Sequence, residues 1–177
     1  MMRRTLNESR EDFEEEYWEG YDFAKKRHDA TGAVRKATGA PYFVHPEGVA
    51  KIVHAYGGSV DQVKSAFAHD LMEDAGVTFS EVEDCFGEKV ADIVEWLTND
   101  TDEIARVGKQ EYISRKLLSM PHEALLVKLA DMYYNYYDHC PEKQAKRIIN
   151  NLQDLTEGRD LTRTELDLID NIITRVA

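Results

Sequence analysis

The chain has 177 residues, with 22 Lys and Arg against 34 Asp and Glu, and a formal net charge of −12. That length suits one domain with a real hydrophobic core. The acidic balance argues against a nucleic-acid backbone as partner, because phosphodiesters need a basic footprint; a small phosphorylated ligand needs only a few local cations.

Helix signals dominate from the start. Phe13, Tyr17, Tyr21 and Ala24 fall at helical spacing and predict a first helix from about Glu11 to Asp29. Residues 30 to 42 carry Thr31-Gly32, Thr38-Gly39 and Ala40-Pro41 and read as loop. A second helix is predicted to begin near Pro46, a favoured first-turn proline, and to end at Gly57-Gly58. Ser59 reads as the N-cap of a third helix running to about Asp74. Ser80 opens a short helix, and Gly87 separates it from another that reaches Leu97. Asn99 to Gly108 is polar and reads as surface loop. Helices follow over about Lys109–Ser119, Pro121–His139, Glu142–Glu157 and Thr162–Val176. Strand-like alternation is scarce, so the expectation is an all-α single domain of eight or nine helices spanning 1–177.

No apolar run approaches the roughly 20 residues of a membrane span. Met1-Met2-Arg3-Arg4 leads into no apolar stretch, so no signal peptide is expected. Cys85 and Cys140 fit no metal or redox spacing, and the expectation is two reduced thiols in a cytoplasmic protein.

Three segments place ionisable groups where a helix is otherwise apolar. In the third helix, His69, Asp70, Glu73 and Asp74 crowd one region, with His69 one turn from Glu73 and Asp70 one turn from Asp74. A divalent cation would relieve the repulsion; a solvated helix end is the alternative. In Val127-Lys128-Leu129-Ala130-Asp131, the aspartate interrupts a strongly apolar run, with Asn135 one turn on. Its partner is either Lys128 in a salt bridge or a metal ion. His45 precedes Pro46 and is therefore held extended. His45, His69, Asp70 and Asp131 make a mixed nitrogen and oxygen donor set, suited to Mn²⁺, Fe²⁺, Co²⁺, Ni²⁺ or Zn²⁺ more than to Ca²⁺.

Four blocks then carry a resemblance. They are Arg35-Lys36 with Gly39-Ala40-Pro41-Tyr42-Phe43-Val44-His45-Pro46; Ala66-Phe67-Ala68-His69-Asp70-Leu71-Met72-Glu73-Asp74; Ile93-Val94-Glu95-Trp96-Leu97-Thr98; and Val127 to Asp131 with Asn135. In this order and spacing, over about residues 17 to 138, the chain resembles the HD superfamily of metal-dependent phosphohydrolases. More narrowly it is similar to the hydrolase domain of the Rel/SpoT alarmone enzymes and their stand-alone small forms. The resemblance implies that His45, His69, Asp70 and Asp131 bind the metal, usually Mn²⁺. It makes Glu73 and Asp74 the catalytic acidic pair. Arg35, Lys36, Tyr42, Asn135 and Lys128 become candidates for substrate contact, and helices 142–176 an accessory. The implied reaction is removal of the 3′-pyrophosphate of guanosine 3′,5′-bis(diphosphate), with Glu73 orienting water or exchanging its proton.

Departures from the family pattern are Met132, where a basic residue often follows the aspartate, and Asn99, where a lysine commonly follows the threonine. Other deoxynucleotides, the adenosine counterpart or a non-catalytic nucleotide-binding module stay as alternatives. The expected partner is a small nucleotide, with no nucleic acid, no membrane and a possible homo-oligomer.

Overall fold

The computed structural model describes residues 13–174. The N-terminal part of the first predicted helix (Glu11, Asp12) and Val176 at the end of the last lie outside them. A 3-10 turn, Glu15–Tyr17, leads into α1, Trp18–Thr31. There follow α2, Val44–Ala55; α3, Val60–Ala68; α4, Leu71–Asp74; α5, Phe79–Phe86; and α6, Glu88–Leu97. The rest comprises α7, Thr101–Val107; α8, Lys109–Ser119; α9, His122–Tyr137; α10, Glu142–Gly158; and α11, Arg163–Ile173. Among the described residues the only strand-like feature is an isolated antiparallel bridge, Val34 to Pro41, which pinches the loop after α1. No helix among them is long and apolar enough to cross a membrane. The all-α class is borne out.

The helix starts follow from local chemistry. Ser59 and Gln62 form a capping box at α3, as do Thr162 and Glu165 at α11. At α5 the capping residue is Thr78 with Glu81, two positions before the expected Ser80. Two expectations change. The third predicted helix is broken at His69-Asp70, where Asp70 sits at φ −102°, ψ −1°. The segment expected as surface loop contains α7: Asp100 accepts from the N–H groups of Asp102 and Glu103, and Gly108 ends the helix at φ 88°. No residue of α7 is buried, so it carries no apolar stripe to read.

The core is built around α2, α3 and α9. α2 packs against both others, and α3 also packs against α6. Phe13, Tyr21, Phe43 and Phe67 cluster at its centre, with the Phe13–Phe67 and Tyr21–Phe43 pairs edge-on and their centroids 5.0 Å apart. α9 is buried almost continuously from Ala124 to Met132. α10 lays Ile148, Leu152 and Leu155 against the body beside α8, and α11 lays Leu168, Ile169 and Ile172 onto α9. The last two helices thus cover this chain's own core.

Candidate metal centre and its cleft

His45 is the second residue of α2, His69 closes α3, Asp70 lies in the break, and Asp131 sits on α9. Consecutive residues of a helix point about 100° apart and do not share a face. The break at Asp70 removes that restriction. His69 Nε2 and Asp70 Oδ2 come within 3.2 Å. His45 Nε2 lies 3.2 Å from His69 Nε2, 3.2 Å from Asp131 Oδ1 and 3.4 Å from Asp70 Oδ2. All four residues converge. His45, His69 and Asp131 are buried, and each presents one donor atom within 4.8 Å of the others.

The protons on these groups can be placed. His69 Nδ1 is 2.7 Å from the Ala66 carbonyl, so it carries the N–H and donates. Nε2 of a neutral ring then offers a lone pair to Asp70, Asp131 and His45, which are acceptors themselves or share its need for a proton. Such a cluster needs a positive charge at its centre. Burial works against a charged His69, but the Asp70 charge and hydrogen bond, then Asp131, outweigh it and raise the ring to about 9. Burial also opposes ionisation of Asp70 and Asp131. Nonetheless His69 and His45 hold Asp70 well below the usual carboxylate range, and Lys128 with both histidines does the same for Asp131.

A divalent cation would supply the same charge. Donors around an ion at about 2.1 Å are separated by roughly 3.0–3.5 Å, the spacing of these edges. His45 Nδ1 is buried and has no hydrogen-bond partner, so nothing beyond the cluster commits its proton.

Further contacts lock the carboxylates. Tyr42 Oη donates to Asp70 Oδ2 at 2.7 Å, and burial followed by Asp70 pushes the phenol far up. Lys128 Nζ donates to Asp131 Oδ2 at 2.8 Å, and Asn135 Nδ2 donates to Asp131 Oδ1. The two partners weighed for Asp131 are therefore compatible: one oxygen meets Lys128 and the other faces the imidazoles. Gly48 makes room nearby, since a Cβ there would stand 2.0 Å from the Tyr134 ring, whose centroid is 5.0 Å from that of His45.

Residues 20–155 match the HD domain family. This chain belongs to that family.

Among curated relatives, the zebrafish guanosine-3′,5′-bis(diphosphate) 3′-pyrophosphohydrolase MESH1 is 35% identical over 122 residues, covering 68% of this chain and 67% of that one. The human protein of the same name is 38% identical over 125 residues, with the same shares. The Aquifex aeolicus guanosine-3′,5′-bis(diphosphate) 3′-pyrophosphohydrolase is 35% identical over 142 residues, 75% of this chain, but the match spans only 19% of its length. In fold, the HD domain superposes on a metazoan SpoT ortholog with TM-score 0.76 at 21% identity, covering 93% of this chain and 97% of that one.

The HD domain's cluster forms one wall of a cavity of about 200 Å³, which Glu73, Asp74, Lys109, Lys128 and Arg147 also line. Glu73 and Asp74 are exposed, as a solvated helix end would be. Glu73 does not meet His69 in any described contact; its carboxylate accepts from the backbone N–H and the side-chain amide of Asn99. Asn99, where the family lysine is missing, is thus the residue that orients Glu73. Its own Oδ1 is buried without a hydrogen bond.

Arg35 does not reach the cluster freely. Its Nε and Nη2 donate to Asp138 Oδ2 at 2.9 and 2.6 Å, and Nη2 also donates to Asn135 Oδ1 at 3.2 Å. The guanidinium lies near the rings of Tyr42 and Tyr134, 5.7 and 5.8 Å from their centroids. Arg35 ties the loop to the end of α9. Lys36 is exposed beside a neighbouring pocket of about 300 Å³, walled by Val34, Ala37, Cys140 and Pro141.

Of the basic residues of α8, Lys109 lines the cleft, whereas Arg115 pairs with Glu111 and faces a separate cavity. His28 is buried with its ring 5.3 Å from that of Tyr42. Asp138 and Arg147 escaped sequence reasoning, and Asn99 entered it only as a departure from the family pattern. Each is an ordinary polar residue in a polar stretch, and only the fold brings it to the cleft.

Proposed function

We propose that this HD domain removes the 3′-diphosphate of guanosine 3′,5′-bis(diphosphate), or of a close nucleotide relative, with Mn²⁺ held by His45, His69, Asp70 and Asp131. The products would be pyrophosphate and a nucleoside 5′-diphosphate. The observation that carries this is the convergence of two imidazoles and two carboxylates at the wall of a cleft that Lys109 and Arg147 also line. The relatives of that name at 35% and 38% identity support the substrate.

The cation, when bound, would supply an acidified water and draw charge from a phosphate oxygen. The chain's own residues would do the rest. Glu73, held by Asn99, would orient the attacking water and take its proton. That water attacks the phosphorus bonded to the ribose 3′ oxygen. The bond from that phosphorus to the 3′ oxygen breaks, and the leaving oxygen takes up a proton, for which Asp74 at the cleft wall is the nearest exposed acid group in sequence. Lys128 is committed to Asp131, so it holds the site's geometry more than the substrate. Lys109 and Arg147 are left to meet phosphate charge. The 300 Å³ pocket, with apolar walls and Lys36 and Tyr42 at its edge, suits a purine base, and Asn135 lies between it and the cluster.

Chromatography of products from guanosine and adenosine 3′,5′-bis(diphosphates) with Mn²⁺ tests this. Pyrophosphate and a nucleoside 5′-diphosphate are expected. Phosphate or triphosphate from deoxynucleotides, with no pyrophosphate from either bis(diphosphate), would reject it. A metal-loaded protein inert on every nucleotide would favour a binding module.

A further inference from the structure

The stretch from Thr98 to Asp100 joins α6 to α7 and holds Glu73 through Asn99. It has left the helix, with Thr98 at φ −65°, ψ 131°, so it needs its own support. That support comes from α8. Lys116 Nζ donates to the Thr98 carbonyl and, at 3.2 Å, to Tyr112 Oη. Tyr112 Oη also accepts the Asp100 N–H at 2.8 Å. We propose that Lys116, braced by Tyr112, is a positioning residue for Glu73: it fixes the peptide group whose N–H aims that carboxylate. This deepens the nucleotide-hydrolase reading above and rests on it for the role of Glu73.

Three observations carry the proposal. The first is covalent. The Thr98 carbonyl and the Asn99 N–H belong to one planar trans peptide group and point opposite ways. A cation that pins the oxygen therefore sets the direction of the N–H that Glu73 accepts. The ammonium also draws electron density through the group, which strengthens the N–H as a donor to the carboxylate.

The second is placement. Lys116 does not line the cleft; it lines a separate cavity of about 470 Å³ together with Trp96, Thr98 and Tyr112. Its effect on the reaction therefore has to pass through the 98–100 stretch. The third is charge. Lys116 is half-buried and makes no ion pair among the described residues; its partners are a carbonyl and a phenol. Burial, then Lys128, push the ammonium down to about 8, while Glu73 and then Asp100 act the other way. A cation in such a place is costly unless its hydrogen bonds are put to use. The groups that use them flank Asn99 on both sides.

The test uses the full chain with Mn²⁺ and guanosine 3′,5′-bis(diphosphate). Lys116→Met keeps the apolar stem and removes the charge and its donors. It should lower kcat about tenfold with KM and bound metal unchanged, as loss of orientation alone predicts. Arg115→Gln, which faces the same cavity, should change kcat less than about twofold. In a Glu73→Ala background, Lys116→Met should cost less than about twofold more, because two residues that act as one unit are not additive. Unchanged kcat in Lys116→Met, a KM that rises in step, or a further tenfold loss in the Glu73→Ala background would overturn the proposal. Should Lys116→Met fail to fold, Tyr112→Phe is read in the same cycle, with about a threefold loss of kcat expected and none without Glu73.

If the wild type cleaves no nucleotide, the functional reading fails, and hydrogen exchange decides the brace alone. Lys116→Met should speed exchange of the Asn99 amide about tenfold and leave the Ile113 and Leu117 amides of α8 as they were. An unchanged Asn99 amide, or equal speeding along α8, overturns it.

Discussion

The two sides of the cleft are built on opposite plans. On one side, His45, His69 and Asp131 are buried, and each charge has its answer inside the fold: His69 with Asp70, and Lys128 with Asp131. On the other side, Lys109, Lys143 and Arg147 stand at the surface with no answering acid. The first side is preorganised and rigid. The second presents basic side chains that no ion pair among the described residues engages. The contrast separates what fixes a reaction centre from what selects a ligand, and substitutions on the two sides should fail in different ways.

The largest effect is expected at Asp131. Asp131→Ala strands the buried Lys128 ammonium, which should cost about 3–5 kcal/mol of stability and abolish turnover. Urea unfolding and metal content would read this. Adding Lys128→Met should recover part of the stability and none of the activity. Unchanged stability in the single variant would show that the buried side is not as tightly paired as described.

Glu73 belongs to neither plan: it faces the cleft but is exposed. Glu73→Ala is expected to lower kcat by about 10²–10³-fold with bound metal retained. Unfolding should change by less than about 0.5 kcal/mol. Full activity in this variant would remove its role with the attacking water.

The pH dependence sharpens the same contrast. His69 in the cation-free fold holds its proton to about pH 9, against an ordinary value of 6.5. The stability it contributes is complete below about 6.5 and lost as pH rises through 9. Cation-free protein should therefore weaken by on the order of 1–3 kcal/mol across that window. Metal affinity should rise over the same window, because the ion needs the neutral ring. A flat unfolding profile after chelation would contradict the proton placement. The smallest effect is expected at Asn99: Asn99→Ala frees the Glu73 carboxylate and should lower kcat about three- to tenfold with KM little changed.

The buried side was the readable one. Asp131 stood out because a carboxylate inside an apolar helical run needs a partner. The extended backbone expected for His45 before Pro46 is not found: His45 is the second residue of α2, which starts two residues before the proline. The meeting of His69 with Asp70 was not readable from helical spacing, which pairs His69 with Glu73 instead. It depends on a break that only packing reveals. α7 was missed because none of its residues is buried and its start signal, Asp100, sits in a polar stretch. The cationic side left little mark. Lys143 and Arg147 lie on the wet face of an amphipathic helix, where basic residues are common, and their isolation from acids is a property of three dimensions. Arg35 carried a clear signal through its block, yet the structure engages it with Asp138, a partner 103 positions away.

The internal pairing of Asp70 and Asp131 has one more consequence. Because each carboxylate already has a cationic neighbour in the bare fold, the polypeptide need not be unfolded to be stripped of its ion or reloaded. Protons and metal would compete for one cage. An enzyme made this way would survive scarcity of its metal as an intact, dormant body, and would wake on resupply without help from the folding machinery.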